Sequence, residues 1–236
     1  MQVLYKLATA FVLLASAPAA RATVIDPAGD FLATYTGPQD TDLDVLSGDI
    51  AFDGTSFSFR ATVAGAIDAT PGQLYAWGID RGTGTPRIDL LRDPDIAPNI
   101  LADAVIVMFP NGALTVVTIP VIGAPTFTNF VGGTTVLGDT LSATVPLSLL
   151  FPTGFEPEDY NFGFWSRLRV DPAVDGTNHE IADFLAGSGA LNAHVVPEPA
   201  TWLTILLGFG LTGGAMRSAR RRNRPLSVAA AAPSGR

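Results

Sequence analysis

The segment Ser56-Phe57-Ser58-Phe59-Arg60-Ala61-Thr62-Val63 alternates apolar and polar residues along its whole length. In an extended chain Phe57, Phe59, Ala61 and Val63 lie on one face, because successive side chains point to opposite sides of a strand. Strict alternation over eight residues predicts a β-strand with one buried face. This segment therefore sets the expected fold class as all-β.

Comparable short segments recur along the chain, and Gly and Pro separate them. They are residues 74–80, 104–109, 114–119, 134–137, 141–145 and 161–170. The Asn111-Gly112 pair and the Gly138-Asp139-Thr140 segment predict tight hairpins. Strands at this spacing predict an antiparallel two-sheet sandwich over residues 23–190. Residues 147–151 are expected to form a helical turn, and residues 180–186 fit either a helix or a strand.

The composition excludes several classes of protein. The chain has 236 residues, 47% of them hydrophobic and 15% charged, and it contains no Cys. A disulfide scaffold, a thiolate zinc site and a Cys nucleophile are therefore excluded. Between positions 23 and 196 the chain has six Arg, no Lys and 21 acidic residues, which gives a net charge of −15. A domain with this charge repels nucleic acid and attracts divalent cations.

The first 22 residues have the features of a secretory signal peptide. Lys6 precedes an apolar run, and Ala20-Arg21-Ala22 matches the small-x-small rule for cleavage. We expect the cut before Thr23, with residues 17–19 as a second candidate site. An ordinary buried N-terminal helix is the alternative.

The C-terminal region predicts a membrane segment. A linker of residues 191–198 leads into an apolar stretch at residues 199–216, and a basic tail of residues 217–236 follows. A helix over the 18 residues of the apolar stretch would be about 27 Å long, close to the thickness of the hydrocarbon layer. The arginines that follow this stretch predict a helix whose N-terminus is outside and whose C-terminus is cytoplasmic.

The same region resembles the PEP-CTERM sorting signal of Gram-negative bacteria. The matching residues are Pro197, Glu198, Pro199, Trp202, Arg217, Arg220, Arg221 and Arg222. The resemblance implies recognition by an exosortase, a membrane cysteine protease that cleaves near Pro-Glu-Pro. It also implies an inner-membrane intermediate, then release or attachment at the cell surface. A plain membrane anchor with a chance Pro-Glu-Pro is the alternative.

The start of the predicted sandwich is similar to secreted domains related to family-nine carbohydrate-binding modules. The residues that carry this similarity are 26–30, 40–44, 48–50 and 75–80. The resemblance implies a jelly-roll-like sandwich with a structural calcium and a sugar-binding function. Independently, Ca²⁺ needs only converging hard oxygens, so the carboxylates are candidate ligands. The candidates are Asp26, Asp30, Asp42 and Asp44. A solvated acidic loop is the alternative.

One strand also predicts a ligand-binding face. Trp165, Arg167 and Arg169 alternate along residues 161–170 and share the face opposite the apolar one. An exposed indole beside guanidinium groups suits sugar stacking or carboxylate binding. The alternative is that Trp165 packs under a loop while the arginines neutralise neighbouring acidic residues.

Catalytic motifs are weak. The two histidines are His179 and His194, and the chain has no H-E-x-x-H, G-x-S-x-G or phosphate-binding glycine loop. The sequence therefore predicts a non-enzymatic exported protein of the cell surface, extracellular matrix or biofilm, with extracellular polysaccharide as a possible partner. The alternatives are a carbohydrate-binding module and a surface hydrolase that uses His179 or Glu180.

Overall fold

The computed structural model describes residues 20–85, 100–169 and 178–186. Within these residues the chain forms eleven strands. They are β1 (Ala20–Ile25), β2 (Val45–Phe52), β3 (Ser56–Val63), β4 (Gln73–Asp80), β5 (Ala104–Met108), β6 (Leu114–Thr118), β7 (Thr126–Phe130), β8 (Thr134–Leu137), β9 (Thr140–Pro146), β10 (Asn161–Leu168) and β11 (Ile181–Phe184). Short 3₁₀ turns lie at Thr41–Leu43, Leu147–Leu149, Pro157–Asp159 and Asn178–Glu180.

The strands form two antiparallel sheets, which confirms the predicted sandwich. One sheet has the order β1-β2-β3-β9-β8 and the other has the order β11-β10-β4-β5-β6-β7. Non-local pairing joins β3 to β9 and β4 to β10. Jelly rolls are built from eight strands in two Greek keys. Here the meander β1-β2-β3 with β9 and β8 makes a five-stranded sheet, and the meander β4-β5-β6-β7 with β10 and β11 makes a six-stranded sheet.

The core lies between the facing sides of the two sheets. Phe57 and Phe59 of β3 pack there, as the alternation predicted, and their rings contact Phe162 of β10 and Trp77 of β4. Every residue of β4 is buried, because its second face is covered as well. Aromatic packing across the sheets thus fixes how the two layers meet.

Both predicted hairpins are confirmed. Met108 pairs with Leu114 across a turn in which Gly112 has a φ of +87°. Leu137 pairs with Thr140 across a turn in which Gly138 has a φ of +64°. Glycine adopts this left-handed backbone without the steric cost that a Cβ brings. The helical turn predicted at residues 147–151 is a short 3₁₀ turn. Residues 180–186, which fitted either a helix or a strand, contain the strand β11.

Strands β1, β2 and β7 were not predicted. In β2 the Gly48-Asp49 pair interrupts the apolar pattern. Gly48 is required there, since a Cβ at this position would lie 2.7 Å from the Trp77 ring. β7 is mostly exposed and therefore has no buried face to mark it. Alternation of apolar and polar residues reveals only strands with one buried apolar face. It therefore misses β7, which is exposed, and β2, where Gly48 stands in place of an apolar residue beside the Trp77 ring.

Strand β1 crosses the predicted signal-peptide boundary. It begins at Ala20, and its residues pair with β2 from Ala20↔Phe52 to Ile25↔Ser47. A cut before Thr23 would leave three of its six residues. The rest of the predicted signal peptide and the predicted membrane helix at residues 199–216 lie outside the described residues. In the part that the structure describes, no helix has the length and apolar character needed to span a bilayer.

Candidate functional site

Within the residues that the structure describes, a groove lies at the side of the sandwich where β6 and β7 end the six-stranded sheet. It has a volume of about 610 Å³, within the range of ligand-binding clefts. One wall comes from β6, β7 and the residues between them, and the other from residues 148–153. The lining residues that carry hydroxyl groups are Thr83, Thr118, Thr126, Thr128, Ser148 and Thr153.

Apolar side chains complete the groove. Val116 and Leu149 line it, Val116 as part of the core and Leu149 packed against that core, and Phe151 lines it with 65% of its surface exposed. An exposed ring beside several hydroxyl groups offers both a stacking surface and hydrogen bonds.

A buried ion pair anchors this groove. Nε of Arg81 donates to Oδ1 of Asp103 at 2.8 Å, and both side chains are almost fully buried. Nη2 of Arg81 donates to the Asp103 carbonyl at 3.1 Å, and Nη1 donates to the Phe151 carbonyl at 2.9 Å. One guanidinium therefore joins β4, the start of β5 and the segment that carries Phe151.

The Asp103 carboxylate gathers further donors. The hydroxyls of Thr83 and Thr153 donate to its Oδ2 at 2.9 and 2.5 Å. Burial by itself would raise the pKa of Asp103, but hydrogen bonds from Thr153 and Arg81 and the charge of Arg81 outweigh it, so the pKa is lowered. Asp103 is thus held ionised, as the partner of a buried cation must be.

The predicted calcium ligands separate into two groups. Carboxylate oxygens of Asp26 and Asp30 lie within 4.8 Å of each other and of an oxygen of Asp183, which the sequence did not predict. Asp42 instead accepts hydrogen bonds from the backbone N–H and hydroxyl of Thr70.

Asp44, the fourth predicted ligand, accepts the Gly29 N–H with both oxygens at 3.0 Å and so holds the loop that carries Asp26 and Asp30. Burial raises the pKa of Asp183 to about 7, and the charges of Asp26 and Asp30 contribute. Three carboxylates could supply hard oxygens to a divalent cation. Calcium at this position stays a prediction.

The ligand face predicted around Trp165 requires a correction. Trp165 is only 8% exposed and packs with Ile100, Ile181 and Phe184 on the outer face of the six-stranded sheet. Gly78 provides the room, since a Cβ there would lie 2.9 Å from the indole. The expected exposed indole is therefore wrong, because a second small cluster covers this face.

The two arginines of that face have different surroundings. Arg167 donates through Nε to Oε2 of Glu180 at 2.8 Å, and its Nη2 contacts the same oxygen. Arg169 is exposed and lines a shallow pocket with Asp68 and Gln73. Arg167 thus neutralises a buried glutamate, and the three residues do not form one open surface.

The residues considered for a hydrolase also make structural contacts. Nδ1 of His179 donates to the Thr34 carbonyl at 2.9 Å, and the Glu180 carboxylate is the partner of Arg167. The first contact ties the loop before β2 to the start of β11, and the second ties β10 to it. Arg81, Asp103 and Phe151 were missed by the sequence analysis, because they are far apart in the chain and form no motif.

Fold and site together define an acidic β-sandwich domain followed by a C-terminal region of different character. Residues 195–222 match the family model of the PEP-CTERM protein-sorting motif. This match confirms the resemblance drawn from Pro197, Glu198, Pro199, Trp202 and the arginine cluster, all of which lie outside the described residues. No curated protein matches the chain. The motif indicates an exported protein that is sorted by an exosortase.

Proposed function

We propose that the protein is a non-enzymatic component of the cell surface or extracellular matrix. An exosortase cuts it near Pro197-Glu198-Pro199 after an inner-membrane intermediate. The observation that carries this proposal is the sorting motif at residues 195–222. The apolar stretch and arginines within it supply a membrane stop with cytoplasmic positive charge.

The acidic sandwich supports a role outside the cell. A net charge of −15 between residues 23 and 196 favours solubility of the domain. The absence of Cys and Lys from this stretch also removes the nucleophiles of thiol and Schiff-base chemistry. The domain therefore suits a structural or binding role.

Mass spectrometry of the mature protein recovered from the producing cells tests the sorting step. We expect a C-terminus close to Pro199, and we expect Glu198→Ala to leave the precursor uncut in the membrane fraction. Thr204→Ala, inside the same apolar stretch, is the matched control and should be cut normally. Recovery of the surface protein with Arg236 intact would contradict the proposal.

A second function is carbohydrate binding at the groove. The observation that favours it is the combination of exposed Phe151 with the hydroxyl groups of Thr126 and Thr128. Sugars combine an apolar ring face with hydroxyl groups, and such a groove can satisfy both. The acidic domain favours neutral over anionic glycans.

Glycan binding is tested with exposed aromatic residues. On a glycan array Phe151→Ala should lose binding, whereas Phe155→Ala should keep it, because Phe155 is exposed nearby but does not line the groove. Equal binding by both variants, or no binding by the wild type, would reject this site and leave the sorting step untouched.

A further inference from the structure

Strand β7 forms one edge of the six-stranded sheet. It pairs with β6 in continuous register from Leu114↔Phe130 to Thr118↔Thr126, and no other described strand lies along its second side. The outward backbone N–H and C=O groups of an edge strand are a template for another strand.

The usual protection of an edge is absent from β7. Folded proteins block edges with charged side chains, Pro or bulges. Thr126–Phe130 contains no Pro and no charge, and its pairing with β6 shows no bulge. The opposite edge, β11, contains Asp183 and is fully buried.

The absence of charge extends well beyond β7. From Ala104 to Gly138 the chain has 35 residues without one Asp, Glu, Lys or Arg. The rest of the domain, between residues 23 and 196, carries all of its net charge of −15. An interface built from this stretch would therefore add no charged side chain of its own to a contact between two equally acidic domains.

Exposed apolar side chains are concentrated in the same stretch of the chain. Of the ten large apolar side chains exposed among the described residues, six lie between positions 121 and 137. Phe127 is 63% exposed, Ile122 91% and Leu137 80%. Apolar residues in a group mark an interaction surface more often than isolated ones do.

We propose that β7 pairs with β7 of a second copy of this chain and extends the six-stranded sheet across a two-fold axis. The unpaired backbone edge requires an extended strand as partner, and the lack of charge favours another acidic copy over a basic partner. Two-fold pairing uses the same surface on both copies, as most homodimers do.

The sequence of β7 suits antiparallel pairing centred on Thr128. Thr128 then lies opposite its own counterpart, and Phe127 lies opposite Asn129 of the other copy. On the face that continues the groove wall, Phe130 lies opposite Thr126, so each large ring meets a small side chain. Complementary cross-strand pairs of this kind stabilise antiparallel sheets.

Single-cysteine crosslinking tests this register, because the chain has no native Cys. The full chain is kept in non-ionic detergent and treated with a short bis-maleimide. Thr128→Cys should give covalent dimer, as should Asn129→Cys, whose two copies would have Cβ atoms about 7–8 Å apart. Ser58→Cys, exposed on β3 of the other sheet, is the control and should stay monomeric.

Adding Phe127→Asp to the Thr128→Cys variant should reduce the dimer about tenfold at a fixed concentration, because it brings a negative charge to the paired edge. Similar dimer yields from Thr128→Cys and Ser58→Cys, or yields that Phe127→Asp does not change, would overturn the proposal. Either result leaves the exosortase step unaffected, since that step is read from the mature C-terminus.

Discussion

At the scale of single residues, Asp103 is the side chain on which the groove depends most. Replacement by Ala leaves the Arg81 guanidinium buried without a counter-charge, and breaking a buried pair costs about 3–5 kcal/mol. We expect Asp103→Ala to lower the free energy of unfolding in urea by this amount.

Thr153→Val is the matched control for Asp103. It removes one hydrogen bond to the same carboxylate and should cost about 1 kcal/mol. If both variants lost the same small amount of unfolding free energy, the ion pair would not stabilise the domain as the geometry indicates.

Asp183 predicts a pH dependence of stability. Its pKa is raised from 3.8 to about 7 by burial, so the folded state holds a proton that the unfolded state has already released. Stability therefore falls as the pH rises from about 4 to about 7. In buffer with EDTA the melting temperature should fall over this range less in Asp183→Asn than in the wild type.

Asp139→Asn makes the same substitution at an exposed turn and should retain the slope of the wild type. Identical slopes for Asp183→Asn and the wild type would contradict the buried, protonated carboxyl. Calcium binding by the three carboxylates is a separate prediction. If it is right, Ca²⁺ raises the melting temperature of the wild type above pH 7.

The outcome for Trp165 shows why the sequence could not predict the site. Alternation placed Trp165, Arg167 and Arg169 on one face, and the register of β10 agrees for Trp165 and Arg167, whereas Arg169 lies just beyond the strand. Alternation does not reveal what covers a face, and Leu32 packs over this one from a loop far away in the chain. Burial of the second face of a sheet is a tertiary property.

At the scale of elements, two loops touch at Gly82. Its φ is +120°, and a Cβ there would lie 2.4 Å from the Gly154 Cα and 2.5 Å from the Phe155 nitrogen. Gly82→Ala must shift the backbone that carries Thr153 and Phe155, and we expect a loss of about 2–3 kcal/mol in chemical unfolding.

Gly54→Ala separates the clash from the cost of the dihedral angle. Gly54 also has a positive φ, +92°, but a Cβ there meets nothing within 4 Å. Gly54→Ala should therefore lower the free energy of unfolding by about 1 kcal/mol. Equal losses at the two glycines would mean that the loop contact contributes nothing.

The predictability of the elements followed their local chemistry. Tight turns with glycine and strands with one apolar face, such as β3, were found because adjacent residues determine them. The groove joins residues 81–83, β6, β7 and residues 148–153, and no local pattern links those segments.

At the scale of the whole molecule, charge and self-association are coupled. Two domains with a net charge of −15 each repel, and salt screens that repulsion within about 10 Å at 0.1 M. We expect sedimentation velocity to show more dimer at high than at low ionic strength. Association that weakens with salt would indicate attraction between opposite charges instead.

Because β1 pairs with β2, cleavage of the predicted signal peptide before Thr23 would change the structure of β1. The Thr23 hydroxyl donates to Oδ1 of Asp49 at 2.5 Å, and the two residues are register partners. A cut between Ala22 and Thr23, as the sequence predicts, creates a new α-ammonium group on Thr23. That cation would stand beside the Asp49 carboxylate, so maturation would exchange three strand residues for a terminal charge pair that the precursor cannot form.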